Sequence, residues 1–273
     1  MITFPNAKIN LGLNIVRRRT DGYHDIETIF LPIALKDVIE IVPAKGNNST
    51  LTTYGRAINC PTEKNLVMKA YRALETEFNL SPVDIHLHKN IPDGAGLGGG
   101  SSDAAFTMLM LNSMFELNIS KADLAARAAK LGADCAFFIY NTPMMATGIG
   151  DILSPIEVSL HGKALLLIKP DVSVPTAEAY SKVIPAESKE LLSSIITQPI
   201  ETWKDLLKND FEPSVFSAHP ELEEIKESIY QSGAAYASMS GSGSSIFGIF
   251  DSANMADKAK DLFKGMNAYV INL

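Results

Sequence analysis

Ile91-Pro92-Asp93-Gly94-Ala95-Gly96-Leu97-Gly98-Gly99-Gly100-Ser101-Ser102-Asp103-Ala104-Ala105 is the stretch from which the rest of the chain is read. Immediately before it, Val83 to Lys89 alternates apolar Val83, Ile85 and Leu87 with polar Asp84, His86 and His88, the period of a half-buried strand. Immediately after it, Ala104 to Leu111 is a run of helix formers, with Ser101 or Ser102 placed to cap the helix and Asp103 in its first turn. Strand, glycine loop and helix start together make an anion site. Glycine lets the backbone approach a ligand without a Cβ clash, and the helix start points its N–H groups and positive dipole end at it. A phosphate chain is the natural occupant. A flexible loop that binds nothing is the plainer alternative, but five glycines followed by Ser-Ser are more than a turn requires.

Gly94-Ala95-Gly96-Leu97-Gly98-Gly99 satisfies the G-x-G-x-x-G pattern, which is weak by itself. A dinucleotide-binding unit would put that pattern near the start of a parallel βαβ repeat, with an acidic residue closing the next strand. Here no clear strand follows before Ser120. A Walker A loop is excluded, because Gly-Lys-Ser/Thr occurs nowhere.

The 273 residues, 46% hydrophobic and 20% charged, describe a globular chain of one large or two ordinary domains. A net charge of −7 argues against binding nucleic acid through a global basic field, so anionic ligands must be held locally. Cys60 and Cys135 offer neither metal spacing nor a disulfide framework, which suits a reducing cytoplasm. Asn6, Lys8 and Asn10 interrupt any leader-like pattern, and no apolar run approaches membrane-spanning length, so no membrane partner is expected.

Toward the N-terminus, Lys8 to Val16 reads as a strand, with Ala7, Ile9, Leu11, Leu13 and Ile15 on one face. Lys8 and Asn10 project together on the other, as a solvated edge or as part of a site. Arg17 to His24 is a basic hairpin loop with an Asp-Gly turn. Its arginines suit a solvated tip. Tyr23-His24 suits a flat heterocycle, or else a hydrogen-bonded loop histidine. Asp25–Phe30 and Asp37–Val42 are further strands, with Pro32 and Pro43 closing segments, and Leu51–Tyr54 is a short one. Lys64 to Leu74 has the spacing of an amphipathic helix.

Downstream, Ser120 precedes a helix expected to end at Leu131-Gly132. Asp134 then enters an otherwise apolar segment, Ala133 to Tyr140, where a carboxylate needs a reason, functional or as a helix cap. After the Thr147–Asp151 turn a boundary divides the chain into domains 1–155 and 156–273. In the second, Ala164–Ile168 is a strand, and Thr176 caps a short helix through Tyr180. Helices are expected at Ser188–Ile196, Ile200–Leu207, Pro220–Tyr230 and Ala253–Phe263. Another glycine-serine loop, Ser240-Gly241-Ser242-Gly243-Ser244-Ser245, separates strands Ala235–Met239 and Ile246–Phe250, and Ala268–Asn272 is the last strand. Helices and strands alternate without a strict βα repeat, an α+β pattern.

Three segments in this order and spacing resemble the GHMP small-molecule kinases: Pro5-Asn6-Ala7-Lys8-Ile9-Asn10-Leu11, the Pro92–Ala105 loop, and Met239-Ser240-Gly241-Ser242-Gly243. Within that group the match is closest to the kinases of the non-mevalonate isoprenoid (MEP) pathway. Asp21-Gly22-Tyr23-His24, Leu131-Gly132-Ala133-Asp134, Val172-Ser173-Val174-Pro175-Thr176 and Asn209-Asp210-Phe211-Glu212 support the narrower likeness. The resemblance implies a ribosomal-S5-domain-2-like N-terminal domain and a ferredoxin-like C-terminal one. It implies ATP-dependent phosphorylation of the 2-hydroxyl of a cytidine-diphosphate-linked methylerythritol, with Mg2+, by a monomer or homodimer.

By motif position, the resemblance makes Asp134 the base that takes the hydroxyl proton and Lys8 the group that polarises the hydroxyl. Asn10 and Thr176 bind substrate, with Tyr23, His24 and Tyr180 at the cytosine. Pro92, Gly94, Ala95, Gly96, Leu97, Gly98, Gly99, Gly100, Ser101 and Ser102 wrap the ATP phosphates, and Asn65 and Lys89 stand on the nucleotide side. Ser240, Gly241, Ser242 and Gly243 form a phosphate or substrate loop, and Ser102 is the metal ligand. Two positions depart from the family pattern: Ala136 replaces a proline, and Thr147 replaces a commonly acidic residue and is given no role. Three rivals stand beside this reading. A homoserine-type kinase would need no heterocycle clamp, a non-catalytic sensor would not need Asp134 with Lys8, and an RNA-binding module would conflict with the acidic balance.

Overall fold

Val83, Ile85 and Leu87 are buried while Asp84 and His86 are half-buried, so the alternation upstream of the glycine loop does build a strand, Val83–Lys89. The computed structural model describes residues 1–188 and 190–273. In chain order its strands are β1 (Ile2–Thr3), β2 (Asn6–Arg18), β3 (His24–Lys36), β4 (Val38–Pro43), β5 (Thr50–Gly55), β6 (Val83–Lys89), β7 (Met144–Thr147), β8 (Ile152–Pro155), β9 (Ala164–Lys169), β10 (Tyr236–Met239), β11 (Ile246–Phe250) and β12 (Asn267–Asn272). The α-helices are α1 (Leu66–Phe78), α2 (Gly99–Met114), α3 (Lys121–Ala129), α4 (Cys135–Tyr140), α5 (Thr176–Tyr180), α6 (Leu192–Ile195), α7 (Trp203–Leu206), α8 (Glu212–Ala218), α9 (Pro220–Gln231) and α10 (Ala253–Lys260). The α+β expectation holds.

Residues 1–7, 35–93 and 98–142 form one compact unit; residues 8–34, 94–97 and 143–273 form the other. In the first, the sheet order is β1-β4-β6-β5, with β4 antiparallel to both neighbours and β5 parallel to β6. Helix α1 packs on α2, and α2 and α3 pack on α4. Val67, Met68, Ala70, Tyr71 and Leu74 are the buried stripe of α1, and Asn65 caps it by accepting from Val67 N–H at 2.9 Å. Ser120 likewise caps α3, accepting from Asp123 N–H at 3.1 Å.

The second unit holds two sheets, ordered β2-β3-β7-β8 and β10-β11-β9-β12. In the latter every pairing is antiparallel, and α9 and α10 pack on it. Leu166, Ile168, Ile229, Ile246 and Phe250 belong to the core beneath those helices. Strand β3 runs through Pro32, where the sequence suggested an end. Its pairing with β7 covers Thr28–Phe30, so Pro32 lies beyond that ladder.

Several local expectations change. Thr176 is the first residue of α5 rather than its cap, which falls on Pro175. Helix α3 stops at Ala129, before Leu131-Gly132. The helix expected at Ser188–Ile196 is found at Leu192–Ile195, and Lys189 lies outside the described residues. Strands β7 and β8 and helix α8 carry no clear signal in the sequence.

Candidate active site

In the first unit, β6 ends at Lys89 and α2 opens at Gly99. Gly98 is its N-cap at φ +70°, and among the described residues the helix start has no side-chain cap hydrogen bond. Neither Ser101 nor Ser102 caps the helix, because it begins ahead of both. A sixteen-residue helix thus starts without a side-chain cap, its first N–H groups at the positive end of its dipole, which favours an anion there. Ser102 is fully buried, and its hydroxyl has no hydrogen-bond partner. Ser101 is bonded to the Cys135 thiol, which burial, opposed by that bond, pushes up to about 11.

Lys89 is buried between two carboxylates. Its Nζ donates to Asp37 and, at 2.7 Å, to Asp103 Oδ2. Asp37 Oδ1 also accepts from the N–H groups of Asn90 and Ile91, at 2.6 and 2.8 Å. Asp103 Oδ1 has no partner. Burial drives the Asp103 carboxyl up to about 8; the Lys89 charge opposes this and the Asp37 charge adds to it. Burial pulls the Lys89 ammonium down, but the charges of Asp103 and Asp37 and the hydrogen bonds to both prevail and hold it above its ordinary range. The two acids thus tie the end of β6 to the first turns of α2. Asn65, Lys89, Gly100 and Asp103 line a cavity of about 150 Å³ with Leu66 and Cys60. Pro92 is buried and Gly100 exposed.

Asp134, half-buried, sits at the N-cap of α4. Its φ of −80° and ψ of −11° are already helical, and its side chain does not bond the helix N–H groups. Capping needs an extended residue, so the cap reading of Asp134 fails on geometry.

In the second unit, Lys8 is only 4% exposed. Its Nζ donates to Asn10 Oδ1 at 2.7 Å and to the Gly96 carbonyl at 3.0 Å, and lies 5.0 Å from the centre of the Phe30 ring. Asn10 Nδ2 donates to Thr28 Oγ1 at 2.9 Å, and Thr28 in turn to the Gly12 carbonyl at 2.5 Å. Lys8 and Asn10 are therefore a built, buried pair and not a solvated edge. Ala95 and Leu97 bury their side chains and present only backbone, with the Leu97 carbonyl accepting from Lys8 N–H at 3.0 Å. Gly94 is exposed.

The loop Ser240–Gly243 meets this pair through Gly96. Ser240 Oγ donates to the Gly96 carbonyl at 2.9 Å, and Ser242 Oγ is 3.4 Å from Thr176 Oγ1. A Cβ on Gly96 would lie 2.0 Å from the Ser240 carbonyl oxygen, so only glycine fits there. His24 and Tyr180 stack on one another, centres 4.7 Å apart and 17° from parallel, and Tyr180 meets Phe211 edge-on. Tyr23 stands apart from that stack at 62% exposure, at the end of the Asp-Gly turn. The arginines flanking the turn are exposed and paired, Arg17 with Asp25 and Arg19 with Asp21. Asp37, Asp103, Asn209 and Glu212 were given no role from sequence. The last two stand in a stretch noted only for its likeness.

Models of the GHMP kinases N terminal domain and GHMP kinases C terminal match residues 65–142 and 190–265, so the class is that of the GHMP kinases, with ATP as co-substrate. The 4-diphosphocytidyl-2-C-methyl-D-erythritol kinase of Bacteroides thetaiotaomicron is 54% identical over 253 residues, 92% of each chain. A crystal structure of 4-(cytidine 5'-diphospho)-2C-methyl-D-erythritol kinase superposes with a TM-score of 0.84 at 32% identity, covering 99% of this chain and 98% of that one. The homoserine kinase of Cytophaga hutchinsonii shares the fold, with a TM-score of 0.70 at 19% identity over 98% of this chain and 94% of that one. The chain belongs to the 4-diphosphocytidyl-2-C-methyl-D-erythritol kinase family of GHMP kinases. Among the described residues no helix is long and apolar enough to cross a membrane.

Proposed function

We propose that this chain transfers the terminal phosphoryl group of ATP to the 2-hydroxyl of 4-(cytidine 5'-diphospho)-2-C-methyl-D-erythritol. The uncapped start of α2, in a chain so similar to kinases of that name, carries the reading. Phosphoryl transfer asks a protein for alignment and charge stabilisation more than for covalent chemistry. Backbone from Gly94 to Ser102 holds the phosphates, with Asn65 and Lys89 on the nucleotide side and Ser240–Gly243 as the second phosphate or substrate loop. Asp134 takes the proton as the hydroxyl oxygen bonds to phosphorus and ADP leaves. Lys8 polarises that hydroxyl, and Asn10 and Thr176 bind the same substrate.

The cytosine stacks on the outer face of His24, since 4.7 Å between His24 and Tyr180 leaves no slot for a ring and Tyr180 already meets Phe211. Tyr23 closes over the base from its exposed turn. Ser102, whose buried hydroxyl has no partner, fits a magnesium ion that takes its other ligands from phosphates and water. Such an ion supplies neutralisation of phosphate charge. The matches at 65–142 and 190–265 support two family domains, 1–155 and 156–273. Two free cysteines, exposed Cys60 and buried Cys135, suit a reducing cytoplasm.

ADP release, measured with and without the cytidine substrate, tests the whole reading: turnover should require that substrate, and equal release without it would overturn the proposal. Asp134→Asn should bind ATP normally while kcat falls at least a hundredfold, within the range for removing a positioned base. Unchanged turnover would remove Asp134 from its role.

A further inference from the structure

Asn209, three residues ahead of α8, is 2% exposed and Glu212, its first residue, 7%, and neither has a place in the chemistry above. Every polar atom of the Asn209 amide is used. Nδ2 donates to the carbonyls of Met239 and Gly241 at 2.8 and 2.9 Å, and Oδ1 accepts from Phe211 N–H at 3.0 Å. Glu212 Oε1 accepts from Met239 N–H and from Ser238 Oγ, each at 2.9 Å, and Oε2 from Lys226 Nζ at 2.6 Å. These bonds grip the main chain on both sides of Ser240. Beyond Ser240 the loop is glycine-rich, with Gly241 and Gly243 at positive φ, and has little stiffness of its own.

Ser240 passes that grip on. Its Oγ and the Lys8 ammonium share one acceptor, the Gly96 carbonyl, at 2.9 and 3.0 Å. The carbonyl oxygen of Ser240 fills the space where a Gly96 Cβ would stand, so Gly96 and Ser240 are in direct backbone contact. Every link from Asn209 to Lys8 lies in the second unit. A shift of Ser240 therefore moves the Gly96 carbonyl, an oxygen that accepts from Lys8 Nζ.

We propose that Asn209 and Glu212 are positioning residues, which clamp the Met239–Gly241 backbone and through Ser240 and Gly96 set the Lys8 ammonium. The inference rests on the proposed role of Lys8 in polarising the acceptor hydroxyl. Lys8 is assigned to the acceptor hydroxyl and Gly96 to the phosphate loop, so the clamp acts on turnover first and on ATP capture to a lesser degree.

Steady-state kinetics and thermal unfolding of the full chain test this in Asn209→Ala, Glu212→Ala and Glu212→Gln, with Lys8→Met in parallel. Asn209→Ala and Glu212→Ala should lower kcat at least tenfold, with a smaller rise in KM for ATP. Glu212→Gln should restore at least half of the kcat, because its amide oxygen still accepts from Met239 N–H and Ser238 Oγ. Unchanged kcat in a folded Asn209→Ala, beside a severe loss in Lys8→Met, would overturn the clamp while leaving the kinase reading standing. Unchanged kcat in Lys8→Met would overturn the role on which the clamp depends. If Asn209→Ala does not fold, the Glu212 pair decides: Gln as poor as Ala would mean that the charge pair with Lys226, not the loop, is what Glu212 serves, and the clamp would fall.

Discussion

Three buried charges meet at Lys89, and one of them is held against its nature. Asp103 has one oxygen bonded to Lys89 and the other bonded to nothing, while Asp37 satisfies both of its own. A single ammonium does not fully compensate two buried carboxylates, so the less well-served acid keeps its proton more readily. Its carboxyl moves from an ordinary 3.8 to about 8. The folded chain then holds a proton that the unfolded chain releases between those two values. The stability from this group is complete below 3.8 and lost as the pH rises through about 8. The melting temperature of the natural chain should fall as the pH is raised across that window. Asp103→Asn, which cannot titrate, should show a shallower fall. Parallel slopes for the two proteins would show that this carboxyl is not what titrates.

Helix α2 and the turn before it illustrate how an element becomes a site. Capping residues follow the helix start here instead of preceding it, and Gly98 enters at positive φ without a side chain to satisfy the first N–H groups. Such groups call for an acceptor, which an anionic ligand supplies. The preceding turn is equally constrained at Gly96, where φ is +73° and an added methyl would strike the Ser240 backbone. Gly96→Ala combines a left-handed conformation, about 1–2 kcal/mol, with displacement of Ser240. A drop of at least tenfold in kcat/KM is expected. Gly162→Ala is the control: φ is +81° with open space around it, so it should lose stability by the same conformational cost and keep its kinetics. Equal kinetic losses in both variants would mean that strain alone, not contact with Ser240, governs Gly96.

At the scale of the molecule, a net charge of −7 leaves an anionic ligand to be held by local geometry. Binding should therefore appear as linkage: a non-hydrolysable ATP analogue at one hundred times its Kd adds about 2.7 kcal/mol and raises Tm by several degrees. No shift at saturating analogue would contradict nucleotide binding. Much of this was legible in the chain. The alternation of Val83–Lys89, the stripe of α1 and the glycine run at the start of α2 are local patterns, fixed by neighbours a few residues apart. Even there the serines place the helix start three to four residues late, because serine capping is a preference and glycine can enter a helix without it. What sequence could not supply was convergence. Asp37, Lys89 and Asp103 are far apart along the chain, as are Asn209 and Met239, and nothing in their own segments marks them as partners. A lone buried charge or amide costs energy wherever it stands, and only the packed sheets and helices decide which distant group pays that cost back. The sequence by itself determined the α+β class and the glycine turn that opens α2, since both arise from local periodicity and backbone chemistry. The tertiary structure alone decided which buried polar groups hold that turn and Lys8 in place.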